Sequence, residues 1–307
     1  GSANPVSSPG SPARAILYAF LANFSIAIAK LIAGVVTASG SMIAEAIHSA
    51  ADTTNQVLLF VGLRGAAKRP DADHPLGYGK LSYFWSFIVA LMLFSMGGVF
   101  SVYEGLHKLE AGHELNHAWV GLIVLAVAFC IEGLSLFGCL REINLMRGEK
   151  RVSQWIRETR NAELVVVLGE DLAALLGLVL AFGFLLTAWL TGNPAYDALG
   201  SISIGVVLIG VALFVAVRIQ SLLIGKSAEP ALRARIDEAI AAEDGVKEVL
   251  NTITLHFGAN VMLAAKIRFD DSQSLGEVVD IINRMEQRLK ANFPELAWCF
   301  IEPDRQD

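Results

Sequence analysis

Residues 41–63 read SMIAEAIHSAADTTNQVLLFVGL. A bilayer core of about 30 Å needs about 20 helical residues, and this block has that length. Yet it holds Glu45, His48 and Asp52, and a charge at the bilayer centre costs about 2.5–3.5 kcal/mol on insertion scales. Spacings of three and four put all three groups on one helix face over two turns. An imidazole and a carboxylate at i and i+4 can close on one divalent ion, as paired helix ligands do in soluble metal sites. His48 alone reads as a packing histidine. With Asp52 four residues on, inside an apolar span, metal ligation is the sharper reading.

Five further apolar blocks flank this one, at about 15–37, 81–104, 119–140, 163–189 and 197–217. The 307 residues are 54% hydrophobic and only 18% charged, where a soluble domain carries roughly a quarter charged residues. A secreted, a disordered and a purely soluble chain are thereby excluded. The fold class expected is a membrane α-helical domain of six transmembrane helices over 14–225. A cytoplasmic α+β domain over 226–307 follows it, and a disordered tail over 1–13 precedes it. A net charge of −6 argues against nucleic acid as a partner. Cys130, Cys139 and Cys299 show no metal-knuckle or disulfide spacing, so packing is their default reading.

Basic residues give the orientation. Arg64, Lys68, Arg69 and Lys80 follow span two; Arg141, Arg147, Lys150, Arg151, Arg157 and Arg160 follow span four; Arg218 and Lys226 follow span six. The alternate segments contribute only Lys108. The positive-inside rule then puts both termini on the cytoplasmic side. The last 80 or so residues read helix, strand, strand, helix, strand. Gly258-Ala259-Asn260 marks a hairpin turn, and Ser274 with Glu277 marks a capping box.

Other spans also hold ionisable groups. Span five carries Glu170 and Asp171, about 100° apart on a helix, so that only one should point straight at a shared centre. Span four has Glu132 and span one has Lys30, for which Glu132 is a possible partner. Small residues surround both acidic stretches: Ala46, Ser49, Ala50 and Ala51 on span two, and Gly169, Ala173, Ala174 and Gly177 on span five. Small faces let helices approach closely in lipid, so spans two and five can meet with their acids converging. The expected metal ligands are His48, Asp52, Glu170 and Asp171.

Three stretches carry a resemblance: Ala44-Glu45-Ala46-Ile47-His48-Ser49-Ala50-Ala51-Asp52-Thr53-Thr54-Asn55-Gln56, Asp73-His74-Pro75-Leu76-Gly77-Tyr78-Gly79-Lys80, and Leu168-Gly169-Glu170-Asp171-Leu172-Ala173-Ala174. With them the chain resembles the cation diffusion facilitators from Arg14 to Asp307. It is more similar to the branch holding a mitochondrial zinc transporter than to the bacterial zinc exporters. The resemblance implies six membrane helices, metal ligands on helices two and five, and a cytoplasmic ferredoxin-like domain that forms a homodimer. The family's helix five usually has His four residues before Asp, where this chain has Val167. Glu170, Glu45 or water is then left as the fourth ligand. Many members bind another ion in the loop after helix two. Here Asp71, Asp73 and His74 are the candidates, with Tyr78 at the later His position. Phe300 and Glu302 stand where regulatory ligands would be, so metal sensing by the tail is not expected.

The function so implied is export of a divalent transition metal in exchange for protons by alternating access, with no prosthetic group and no enzymatic step. Ligation needs neutral His48 and ionised carboxylates, so one set of groups can serve metal and protons. Nitrogen and oxygen ligands suit zinc, with manganese, cobalt and iron possible. A passive channel or uniporter and a membrane scaffold with a regulatory soluble domain are the alternatives. The expected home is a bacterial inner membrane.

Overall fold

The computed structural model describes residues 12–112 and 114–306. Of the disordered tail expected over 1–13, residues 1–11 lie outside the described residues, whereas Pro12 and Ala13 already belong to a helix. The helices are α1 (Pro12–Thr37), α2 (Gly40–Ala66) and α3 (Lys80–Met92), the last running through a π-helical segment, Leu93–Val99, into α4 (Phe100–Ala111). Then come α5 (Ala118–Met146), α6 (Val152–Glu158), α7 (Ala162–Thr191) and α8 (Ala195–Ile224). The tail adds α9 (Pro230–Ala241), β1 (Val246–Phe257), β2 (Asn260–Phe269), α10 (Leu275–Asn292) and β3 (Leu296–Pro303).

Among the described residues four helices are long and apolar enough to cross a membrane: the α3–α4 run, α5, α7 and α8. The apolar part of α1, Asn23–Thr37, is shorter. In α2, Glu45, His48, Asp52 and Arg64 dilute the apolarity of 27 helical residues. The expectation of six spans therefore rests, for these two, on helix length and position. Most helices also outrun their apolar blocks, α5 by six residues at its C-terminal end, because backbone hydrogen bonding continues where hydropathy stops.

The chain forms two compact units. The first comprises residues up to Phe60, Ile88–Ile143 and Val166–Ala216. Its core includes Met42, Leu93, Leu125, Leu178, Leu185, Ile204 and Leu208. Its outside is apolar too: Leu134, Phe137 and Leu190 are among its exposed side chains, as a hydrocarbon solvent allows. Glycines bring the α3–α4 run against α8. A Cβ on Gly205 would lie 2.6 Å from the Gly98 carbonyl oxygen, and one on Gly105 would lie 2.7 Å from that of Ala198.

The second unit comprises Val61–Phe87, Asn144–Val165 and Val217 onward. In it β1 and β2 pair antiparallel, closing between Phe257 and Asn260, and β2 pairs parallel with β3. Gly258 takes φ 65° in the two-residue turn, a conformation glycine adopts without steric cost. The α10 crossover joins the parallel pair, as such a connection requires. Ile236 and Ile240 of α9 and Val278, Ile281, Met285 and Leu289 of α10 close the core over Val261, Leu263, Ala265 and Ile267. The Ser274–Glu277 capping box opens α10 as expected. On the other sheet face Ile253 and Phe300 stay exposed, in register on either side of Ala264.

The basic segment between α5 and α7 is not only loop. It holds the short helix α6, whose C-terminal carbonyls accept hydrogen bonds from basic side chains: Arg218 Nη2 donates to Ile156 at 2.6 Å and to Arg157 at 2.5 Å, and Arg160 Nη1 donates to Glu158. Cations at a helix C-terminus are favoured by the unsatisfied carbonyls there.

Candidate metal site

The site is set by how α2 starts. Ser39 Oγ accepts from Met42 N at 3.1 Å, a helix-capping bond. Asp197 Oδ2 accepts from Gly40 N at 2.6 Å, fixing the α2 N-terminus against that of α8. Two turns on, His48 is fully buried, with Nε2 3.4 Å from Asp52 Oδ2. That is ion-pair distance without hydrogen-bond geometry, and both ring nitrogens are without a hydrogen-bond partner. A Cβ on Gly97, in the π-helical segment, would lie 3.7 Å from His48 Nδ1, so the imidazole fits against bare backbone. Single-turn π segments are frequent at functional sites.

Asp52 lines a small cavity of about 30 Å³ together with Glu132 of α5 and both Glu170 and Asp171 of α7. Asn23, Ser49, Gln56 and Ser135 complete its wall. His48, in contact with Asp52, is not part of the wall. Glu170 and Asp171, expected to differ in which of them points straight at a shared centre, both line this cavity. Asn55 Nδ2 donates to Glu170 Oε1 at 2.5 Å, drawing it towards α2, while Ser135 Oγ donates to Asp171 at 3.2 Å, drawing it towards α5. Long side chains on neighbouring positions reach one cavity from two directions. Among the described residues no three His, Cys, Asp or Glu side chains stand close enough to enclose an ion. The acids line the cavity without converging to ligand distance.

The sequence alone gives Asn55 and Ser135 no site role and reads Ser49 only as a small packing residue. Asn55 carried a signal: it lies three residues after Asp52, on the same face of an otherwise apolar span. Ser135 carried none, since a single serine in a membrane helix is common. The suggested Lys30–Glu132 pairing is corrected. Lys30 Nζ donates to Glu45 Oε2 at 3.0 Å and to Ser49 Oγ at 2.7 Å, with the ion pair wholly buried. Gly177 of α7 faces the remaining Glu45 oxygen, whose place a side chain there would contest. Gly169, by contrast, gives room to Val215 of α8, and Ala50 is exposed, so neither brings α2 to α7.

In the loop after α2, Asp71 spends its oxygens locally. Oδ1 accepts from the backbone of Asp73 at 3.1 Å and of His74 at 2.8 Å, and Oδ2 accepts from Tyr78 Oη at 2.6 Å. The Tyr78 hydroxyl, then the His74 amide, hold the Asp71 carboxyl below its usual range. His74 and Tyr78 rings lie 4.3 Å apart. The loop is organised by these contacts with Asp71, while Asp73 offers only its backbone to them.

Comparison with known proteins adds an independent line. The cation efflux transmembrane domain matches residues 16–224, and the cation efflux protein cytoplasmic domain matches residues 228–306. A Xenopus laevis protein named proton-coupled zinc antiporter SLC30A9, mitochondrial, is 34% identical over 262 residues, covering 84% of this chain and 47% of its own. Metal tolerance protein C4 of Arabidopsis thaliana is 33% identical, over 70% of this chain and 47% of its own. The manganese efflux system protein MneP of Bacillus subtilis is 22% identical and covers 94% of both chains. The chain spans about half the length of the first two of these relatives. A bacterial inner membrane gains no support from relatives named as mitochondrial; the apolar helices and the family make the chain an integral membrane protein.

Proposed function

The chain belongs to the cation diffusion facilitator family, and from that premise we propose that it carries a divalent transition metal across a membrane in exchange for protons. The observation that carries the reading is the buried His48–Asp52 contact beside a cavity shared by Asp52, Glu132, Glu170 and Asp171. Intramembrane acids on a shared cavity mark an ion pathway by default. His48, Asp52, Glu170 and Asp171 are the ligands, with small movements of α2 and α7 drawing them onto the ion. Each ligand must give up its proton to hold metal, so loading metal sheds protons and re-protonation releases it. One imidazole with several carboxylates suits zinc and also admits manganese, cobalt and iron.

The proposal includes six membrane spans over 14–225, both termini on the cytoplasmic side, and a cytoplasmic domain over 226–307 that pairs two copies. The uncovered sheet face with Ile253 and Phe300 is the surface such a pair would cover. The test is uptake of Zn²⁺, Mn²⁺, Co²⁺ and Fe²⁺, each alone, into proteoliposomes under an imposed pH gradient. Uptake that follows the gradient and is lost in His48→Ala and in Asp52→Ala, both still folded, is the expected result. Uptake indifferent to the gradient means a passive channel or uniporter; wild-type rates in Asp52→Ala would remove the site.

A further inference from the structure

Lys30 of α1 sits fully buried and pairs with Glu45, which lies about one helical turn before His48 on α2. Its ammonium donates to Glu45 Oε2 and to Ser49 Oγ, and Ser49 is itself part of the cavity wall that holds Asp52, Glu132, Glu170 and Asp171. One buried ammonium therefore pairs with Glu45 and reaches, through Ser49, the wall of the cavity that Asp52, Glu132, Glu170 and Asp171 share. Stapling α1 to α2 does not require those charges, because a buried ion pair is often no more stabilising than an apolar pair of the same size. Nor is the staple complete. Glu45 Oε1 is buried and has no hydrogen-bond partner, facing the bare backbone of Gly177 on α7. A carboxylate with half its acceptor capacity open, turned to the face of α7 that bears Glu170 two turns away, is built to exchange partners.

Resting on the transporter reading above, we propose that Lys30 is a tethered cation of the transport site, neutralising Glu45 and opposing the arriving metal so that the ion is held loosely enough to leave. Lys30 acts through Glu45 and through charge, without ligating anything, and is a positioning residue. A fixed ammonium at this place lowers the affinity of every divalent ion alike. Removing it leaves Glu45 an unpaired buried carboxylate that turns to the metal instead. Transport requires binding weak enough for release, so the stronger site is the slower one.

The test uses the full chain, in detergent for titration with Zn²⁺ and with Mn²⁺ alone, and in proteoliposomes for uptake. Lys30→Met tightens the dissociation constant by about tenfold or more and lowers maximal uptake together with the half-saturating concentration. Lys30→Arg, which keeps the charge, stays within about threefold of wild type in both. Lys30→Met/Glu45→Gln, which removes both charges, returns the dissociation constant to within about threefold of wild type. Glu45→Gln alone leaves the ammonium uncompensated and weakens binding, opposite in direction to Lys30→Met. A folded Lys30→Met protein with unchanged or weaker metal binding overturns the proposal, since loss of a mere staple would lower the melting temperature and leave affinity where it was. If Lys30→Met does not fold, unchanged or tighter binding by Glu45→Gln overturns it instead. Wild-type protein that binds no metal overturns the transporter reading and this proposal with it; wild-type binding with all four variants level overturns this proposal alone.

Discussion

Asn55 shows how much a single side chain carries in this site. Its amide is the donor to Glu170 Oε1, while its own carbonyl oxygen is buried without a partner. Asn55→Ala removes the donor from a buried carboxylate, a loss of about 1–3 kcal/mol for a stranded group. Thermal melting in detergent should drop accordingly and uptake should slow; an unchanged melting temperature would show that Glu170 does not depend on Asn55. The same neighbourhood shows where sequence reading succeeds. His48 and Asp52 were legible together because a four-residue spacing on a helix is a local fact, settled before any tertiary contact forms. Which acid Lys30 meets was not legible, since Glu45 and Glu132 lie on different helices and only packing chooses between them. That Glu170 and Asp171 both reach the cavity depends on donors from two other helices, Asn55 and Ser135, which no rule of helical periodicity supplies.

Along the helices, small residues decide more than hydropathy does. Gly98 and Gly205 let the π-helical segment and α8 touch backbone to backbone, and Gly105 repeats the contact two turns further on. Gly205→Ala would drive a methyl group within 2.6 Å of the Gly98 carbonyl oxygen and onto Val102. Main chain cannot swing aside as a flexible side chain can, so overpacking of about 1–3 kcal/mol is expected. The measurement is the melting temperature beside that of Gly210→Ala, where a Cβ would meet open space; equal melting of the two variants would mean that the α3–α4 run and α8 are not so tightly joined. All the long helices and all three strands were legible from apolar blocks, turn residues and the capping box. The π-helical segment was not, because Leu93–Val99 reads as ordinary apolar helix. The short helix α6 is only seven residues long, and its last carbonyls are completed by Arg160 just beyond it and by Arg218 of α8.

For the molecule taken whole, acid sensitivity is expected from a group that is not part of the candidate site. His256 of β1 is buried, its Nε2 without a partner, and burial first of all lowers its pKa from the usual value. The native state therefore binds that proton less readily than the unfolded chain, whose histidine titrates near 6.5. Stability that is full above about pH 6.5 is lost as the pH falls from there towards the depressed native value. Melting curves at about pH 7.5 and pH 5.5 should show wild type losing more on acidification than His256→Leu; equal losses would count against the assignment. His256 also belongs to the turn where the second unit is knit together. Tyr83 Oη donates to the Gly258 carbonyl at 3.0 Å, Arg160 Nε donates to that of Ser227 at 2.7 Å, and the backbone of Gly79 lies so close to Phe257 that no side chain would fit. Contacts within the second unit therefore reach back across Gly225, from the segment after it to Gly79, Tyr83 and Arg160. A soluble fragment excised there would keep its own core but display a raw patch at the Phe257–Gly258 corner. The truncated remainder would forfeit the anchor for Tyr83 and Arg160, so a crystallographer trimming the chain for convenience would be amputating part of the scaffold.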